Sequence, residues 1–317
     1  MFAESLVGFS PRPAFQVLRR EPHALRVRVS RAALEPLCEG HFPGDPIVPG
    51  AHLFALASDA GALLSSRRSD SLCTKRIGEV TQNEPVNAQF RQIVRPDHDI
   101  EIELCSYPIG ALEHGEIRSS IYSVSESDCC ARFRCLTRAG SLQRFSCPEP
   151  VSERRLNEVS TQHSEGTEQI ARLKHRGRAL LLERELLVQD EQARLASEGP
   201  KQRSFGSRSL DQWHWPLLLD GAAQAAGLIA KDAAGSGTTG LTTSTPSNAS
   251  ESNPTLVVVA YELKHLVRAQ YAGRVEFSAS FRRRVLAMLE LSVVARAPSS
   301  GRVLLETNIV LAPKPAR

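Results

Sequence analysis

Along this chain, short runs of alternating or β-branched residues surround two long alanine-rich apolar runs, and the arrangement is written twice. Ala14 to Leu18 and Leu25 to Val29 read as strands. After a turn dense in glycine and proline, Ala51 to Leu64 has no proline and one glycine, and reads as a buried helix. Gln89 to Val94, Ile100 to Cys105, Ile117 to Val124 and Ala131 to Thr137 follow as strands. The order then recurs. Ala179 to Val188 and Ala193 to Ser197 are strand-like, Pro216 to Ala230 is a second small-residue helix, and Leu256 to Leu263, Val275 to Arg282, Leu289 to Ala295 and Val303 to Leu311 are strands. Helices this small and apolar, beside strands this long, are most simply wrapped by sheet. The expected fold is therefore α+β, with two antiparallel sheets, each around a central apolar helix, packed as a pseudo-dimer. The expected boundaries are 1–150 for the first unit, a charged linker at 151–172, and 173–317 for the second. A Gly/Ser/Thr-rich stretch at 232–254 reads as a flexible insertion.

Composition narrows the classes without choosing among them. The chain has 317 residues, 41% hydrophobic and 23% charged, enough for two cores without covalent staples. A net charge of +4 with only 5% aromatics argues against nucleic acid as a partner and leaves room for an acidic protein. Seven cysteines form no Cys-x-x-Cys pair, which speaks against a structural zinc site. Met1 to Pro11 lacks a basic-then-apolar leader, and no apolar run approaches the ~20 residues of a membrane span. A cytoplasmic protein without membrane attachment is the expectation.

The most informative stretch is Gly40-His41-Phe42-Pro43-Gly44-Asp45-Pro46-Ile47-Val48-Pro49-Gly50. Prolines and glycines hold such a turn in one shape, which makes sense if an imidazole must be aimed. The helix start behind it offers free N–H groups. The eleven residues resemble the active-site turn of bacterial 3-hydroxyacyl-acyl carrier protein dehydratases of the hotdog fold. Leu173 to Leu182 is similar to the opening strand of those enzymes. Asp220-Gly221-Ala222-Ala223-Gln224 resembles the Asp-x-x-x-Gln helix motif of polyketide synthase dehydratase domains, which are double hotdogs. The resemblance thus implies a double hotdog, acting on an acyl chain held by the phosphopantetheine of an acyl carrier protein, with no metal and no organic cofactor.

Spacing adds a further expectation. In the single-hotdog dehydratases the helix acid follows the turn histidine by fourteen residues, with a glutamine four further on. From His41 this count reaches Ala55 and then Asp59; backwards from Asp220 it reaches Gly206. The first half keeps the base, and the second keeps the acid and its glutamine. One complete site and one dead site are expected, with His41 and Asp220 separated by roughly 4–7 Å if they share a substrate.

The chemistry suits these residue types. Dehydration removes an α-proton, a task for neutral imidazole, and protonates a departing hydroxyl, a task for a carboxylic acid kept neutral by apolar surroundings. Gln224 lies one helical turn from Asp220, on the same face. By analogy with the family, backbone N–H groups near Gly50 and Ala51 would receive the thioester oxygen, with Phe42 and Pro49 beside them. His41 could also return the proton to the hydroxyl by itself, and this choice stays open. Asp59 and His52 read as structural. His214, between Trp213 and Trp215, is the rival histidine at an aromatic-lined entrance, and His175 reads as structural. Arg282-Arg283-Arg284 reads as a solvated strand end, with carrier-protein contact as the competing role. Double-bond isomerisation, dehydration-coupled cyclisation or a non-catalytic carrier-binding scaffold are the alternatives to dehydration. Pairing of two chains into a homodimer stays open.

Overall fold

Two helices are buried on nearly every side, and the strands are arranged to cover them. The computed structural model describes residues 15–65, 79–109, 114–125, 128–141, 173, 181–182, 184–189, 192–197, 203–205, 208–210, 213–235, 255–267 and 271–314. In the first half these comprise β1 (Gln16–Arg20), β2 (Ala24–Val29), a short helix α1 (Arg31–Leu34) running into a 3-10 turn (Glu35–Cys38), and the long helix α2 (Gly50–Ser65). β3 (Glu79–Phe90), β4 (Ile100–Ile109), β5 (His114–Ser123) and β6 (Cys129–Ser141) complete it. The second half has β7 (Arg184–Gln189), β8 (Gln192–Ser197), a small hairpin of β9 (Arg203–Phe205) and β10 (Arg208–Leu210), and the long helix α3 (Trp215–Gly235). β11 (Leu256–Leu266), β12 (Val275–Val285), β13 (Met288–Ala297) and β14 (Arg302–Pro313) follow.

The two separate sheets expected from the sequence are one. Twelve antiparallel strands run in the order β1-β2-β4-β5-β6-β3-β11-β14-β13-β12-β8-β7. Read from each outer edge inward, the halves have the same topology: β1, β2, β4, β5, β6, β3 on one side and β7, β8, β12, β13, β14, β11 on the other. They join through β3 and β11 over three residue pairs, Gln89 with Ala260, Ala88 with Tyr261 and Asn87 with Glu262. The edge strand of each half is thereby covered by its counterpart.

The burial pattern explains the arrangement. β13 alternates strictly, with Leu289, Leu291, Val293, Ala295 and Ala297 buried, so one face of the sheet meets the core. α2 buries Ala51, Leu53, Phe54, Ala55, Leu56 and Ala57 in near-continuous sequence, the signature of a helix enclosed all round. It packs on the strands of its own half, α3 packs on β8 and β11 to β14, and the two helices touch each other. Phe54 of α2 meets Trp215 of α3 edge-on at 5.7 Å and stacks on Phe133 of β6 at 5.1 Å. Trp213 and Trp215 are core residues, 0% and 5% exposed, so the aromatic-lined entrance expected around His214 is not formed.

Two further expectations are corrected. The strand placed at Gln89 to Val94 is β3, which ends at Phe90; residues 91–95 form a loop held by bonds from the Arg91 and Gln92 N–H groups to the Cys130 carbonyl. Pro85, inside β3, sits at a register shift opposite Cys135, where a missing donor is tolerated. α3 runs to Gly235, so the insertion expected at 232–254 begins later, and its remainder lies outside the described residues, as do the linker at 151–172 and His175. Among the described residues no helix is long and apolar enough to cross a membrane.

Candidate active site

The turn that carries His41 is tied down at both ends. Gly40 and Gly44 take left-handed backbone at φ +81° and +87°, and Phe42 does so at φ +48°, where a phenylalanine is strained. The His41 N–H donates to the Cys38 carbonyl at 2.9 Å, and the Asp45 N–H to the Phe42 carbonyl at 3.0 Å. The Val48 N–H bonds the Val94 carbonyl at 2.8 Å, which fastens the turn to the loop after β3. Asp45 takes a hydrogen bond from Arg95 Nε at 3.4 Å and forms an ion pair with Lys314, just past β14. The Lys314 ammonium also lies 5.9 Å from the Phe42 ring centre, a cation–π distance. The C-terminal end of the chain thus grips the N-terminal turn.

Asp220 lies on the second turn of α3, among Leu217, Leu218, Leu219 and Ala222, and is buried. His41 Nε2 stands 3.6 Å from Asp220 Oδ2, and both side chains are almost sealed from solvent. That is slightly shorter than the expected gap. Gln224 Nε2 donates to Asp220 Oδ2 at 3.2 Å, while Gln224 Oε1 accepts from the Leu181 N–H at 3.0 Å. The backbone donor sets which end of the amide faces the carboxylate. The histidine of one half and the aspartate and glutamine of the other therefore meet. At the related position of α2, Ala55 is a buried alanine. Where the first half has its histidine turn, the second has the β9–β10 hairpin, and Gly206 lies outside the described residues.

These groups line a cavity of about 170 Å³ at the seam between the halves. Its walls are largely apolar, with Ile47, Leu53, Phe90, Val94, Leu173 and Val258 among them. Phe42, Pro49 and Gly50 line it; Ala51 is buried in the core and does not. A methyl group at Gly50 would sit 2.7 Å from Phe90 Cζ, so glycine at the start of α2 lets the ring close over the helix end. Gly50 and Ala51 are the first two residues of α2, where the N–H groups have no acceptor within the helix.

Two more residues stand here: Tyr261, which sequence reasoning did not single out, and His52, which it read as structural. Tyr261 of β11 is buried beside Phe90 at 5.8 Å, and its phenol is held well above the usual tyrosine range by burial first and the charge of Asp220 second. His52, on the first turn of α2, lies with its ring centre 6.2 Å from that of His41, and burial lowers its pKa to about 4. The signal for Tyr261 is a single phenol directly after the apolar run Leu256 to Ala260; that for His52 is a lone imidazole in an otherwise apolar helix start. His214 is buried, with its pKa lowered by that burial, and is not among the residues lining the cavity. Asp59 is not among them either. Arg282 and Arg283 pair with Glu290, and Arg282 also bonds Asn308 Oδ1.

Comparisons with known proteins fit this geometry. No family profile matches the chain. The 3-hydroxyacyl-[acyl-carrier-protein] dehydratase FabZ of Caulobacter vibrioides is 33% identical over 108 residues, which are 32% of this chain and 66% of that enzyme. The chain thus spans just under two thirds of that relative's length. Among solved structures, the dehydratase domain of PpsC from Mycobacterium tuberculosis, in complex with C12:1-CoA, superposes with a TM-score of 0.58 at 16% identity. The superposition covers 96% of this chain and 99% of that domain. A protein of Novosphingobium aromaticivorans described provisionally as a thioesterase gives 0.54 at 12% identity, covering 94% and 98%. The chain has FabZ homologues, and its structural neighbours over nearly its whole length include polyketide synthase dehydratase domains, so the fold is of the hotdog type.

Proposed function

We propose that the chain is a dehydratase built of two fused hotdog units, 1–150 and 173–317, each with its central helix, with one working site per chain. It converts a 3-hydroxyacyl thioester on an acyl carrier protein to the 2-enoyl thioester, in fatty-acid or polyketide synthesis. The observation that carries this reading is the 3.6 Å approach of His41 and Asp220 from opposite halves at an apolar cavity.

His41 Nε2 takes a proton from C2 of the acyl chain. The electron pair forms the C2–C3 double bond, and the C3–O bond breaks as Asp220 gives its proton to the hydroxyl, which leaves as water. The Gly50 N–H group, at the cavity wall, faces the thioester oxygen as charge gathers there. Gln224 positions the acid through its bond to Oδ2. After release, His41 and Asp220 are close enough to return the proton and reset the site. The step as written needs no cofactor. Arg91, the cation among the described lining residues, supplies a partner for the phosphate of the carrier's phosphopantetheine.

The test separates dehydration from thioester hydrolysis, since a fold neighbour carries each name. The purified chain is given 3-hydroxyacyl thioesters on carrier protein. Conjugated enoyl thioester by ultraviolet absorbance and mass supports the reading. Release of free carrier thiol without it overturns the reading.

A further inference from the structure

The mechanism leaves His52 without a task. A helix start enclosed by Ala51, Leu53 and Phe54 favours an apolar residue, yet an imidazole stands there, 2% exposed. It places a second nitrogen donor against the His41–Asp220 pair, outside the residues that line the cavity. One ligand atom from each of His41, His52 and Asp220 lies within 4.8 Å of the other two, and all three residues are more than nine-tenths buried. Two imidazoles and a carboxylate are a donor set for a divalent ion of borderline softness. A tetrahedral ion about 2.0–2.2 Å from each ligand needs them roughly 3.4 Å apart. His41 Nε2 and Asp220 Oδ2 already stand at 3.6 Å. The His52 ligand atom, within 4.8 Å of the other two, has to approach by about 1.4 Å at most to complete the set.

We propose that His41, His52 and Asp220 bind a zinc-class divalent ion, and that its binding silences the site. The ion takes the lone pair that the base needs and converts the acid into a metal carboxylate. Ion binding rests on the three side chains alone; silencing rests on the dehydratase reading.

The chain, stripped with chelator and exchanged into metal-free buffer, is titrated with cobalt(II), and with zinc against a chromogenic competitor. One equivalent binds at micromolar affinity or tighter, with tetrahedral cobalt absorbance and no thiolate charge-transfer band. Zinc raises the melting temperature because the ion joins the two halves. His52→Leu, with an unchanged circular dichroism spectrum, weakens binding at least tenfold; His52→Gln, which keeps a polar group, does the same. The zinc concentration that halves enoyl formation, relative to each protein's own metal-free rate, rises in parallel. Absence of binding, equal binding by both variants, or a thiolate band from the cysteines overturns the site. Binding at the site with turnover unaffected overturns the silencing. Turnover that falls when the metal is removed also overturns the silencing, whereas absence of turnover both with and without metal counts against the dehydratase reading and leaves the binding result intact.

Discussion

Asp220→Asn separates the acid's chemistry from its place in the fold. Asparagine has the shape of the aspartate, and its amide oxygen still accepts from Gln224 Nε2, which now reaches the carboxylate at 3.2 Å. The cavity walls and the Leu181–Gln224 bond are untouched, so folding stability should move by no more than about 1 kcal/mol. Catalysis should move much further. A positioned general acid contributes on the order of 10²–10⁴ in rate, about 3–5 kcal/mol of barrier. Steady-state enoyl formation from a 3-hydroxyacyl thioester, with melting temperature alongside, should show kcat down by two to four decades at nearly constant KM. The neutral side chain leaves the apolar binding walls as they were, which is why KM holds. A variant retaining kcat within about tenfold of the parent would refute the two-residue scheme and leave His41 carrying the proton both ways.

Gly50→Ala should lower stability by about 1–3 kcal/mol, because a methyl 2.7 Å from Phe90 Cζ forces the ring away. Phe90→Leu on top should recover much of that loss in urea melts, the coupling expected of a direct clash. Lys314→Met should cut kcat roughly tenfold by loosening the His41 turn, and Asp45→Ala should match it. The double variant should be no slower than either, and additive losses would exclude the clamp. Acid should destabilise the chain through His52. Its folded pKa, about 4, lies below its ordinary 6.5, so the unfolded state binds the extra proton as pH falls between those values. About 3 kcal/mol should be lost by the bottom of that window, and His52→Leu should flatten the profile of urea melts taken in chelator.

Local pattern carried a large share of this protein. Alanine-rich runs read as α2 and α3 because a helix apolar on every face can only be buried, and that holds before any partner is known. The turn around His41 was legible because proline and glycine restrict or free the backbone residue by residue. The expected division of the site between halves came from counting against the spacing of turn and helix acid in the dehydratases that the chain resembles. Pairings at long sequence separation carry no such mark. β3 was misjudged because Pro85 and four asparagine or glutamine residues weaken its alternation, while its register with β6 and β11 makes it a strand.

The sequence by itself determined two repeated units, two buried helices, an aimed histidine in one half and an acid with its glutamine in the other. Tertiary structure alone decided that a three-pair seam makes one sheet, and that His52 and Tyr261 flank the pair. It also decided that Lys314 holds Asp45 from 269 residues away. Periodicity reports which face of an element is buried, but not which residue of a distant element it is buried against. That choice is made by packing, where the closing of two half-sheets brings His41 and Asp220 to 3.6 Å.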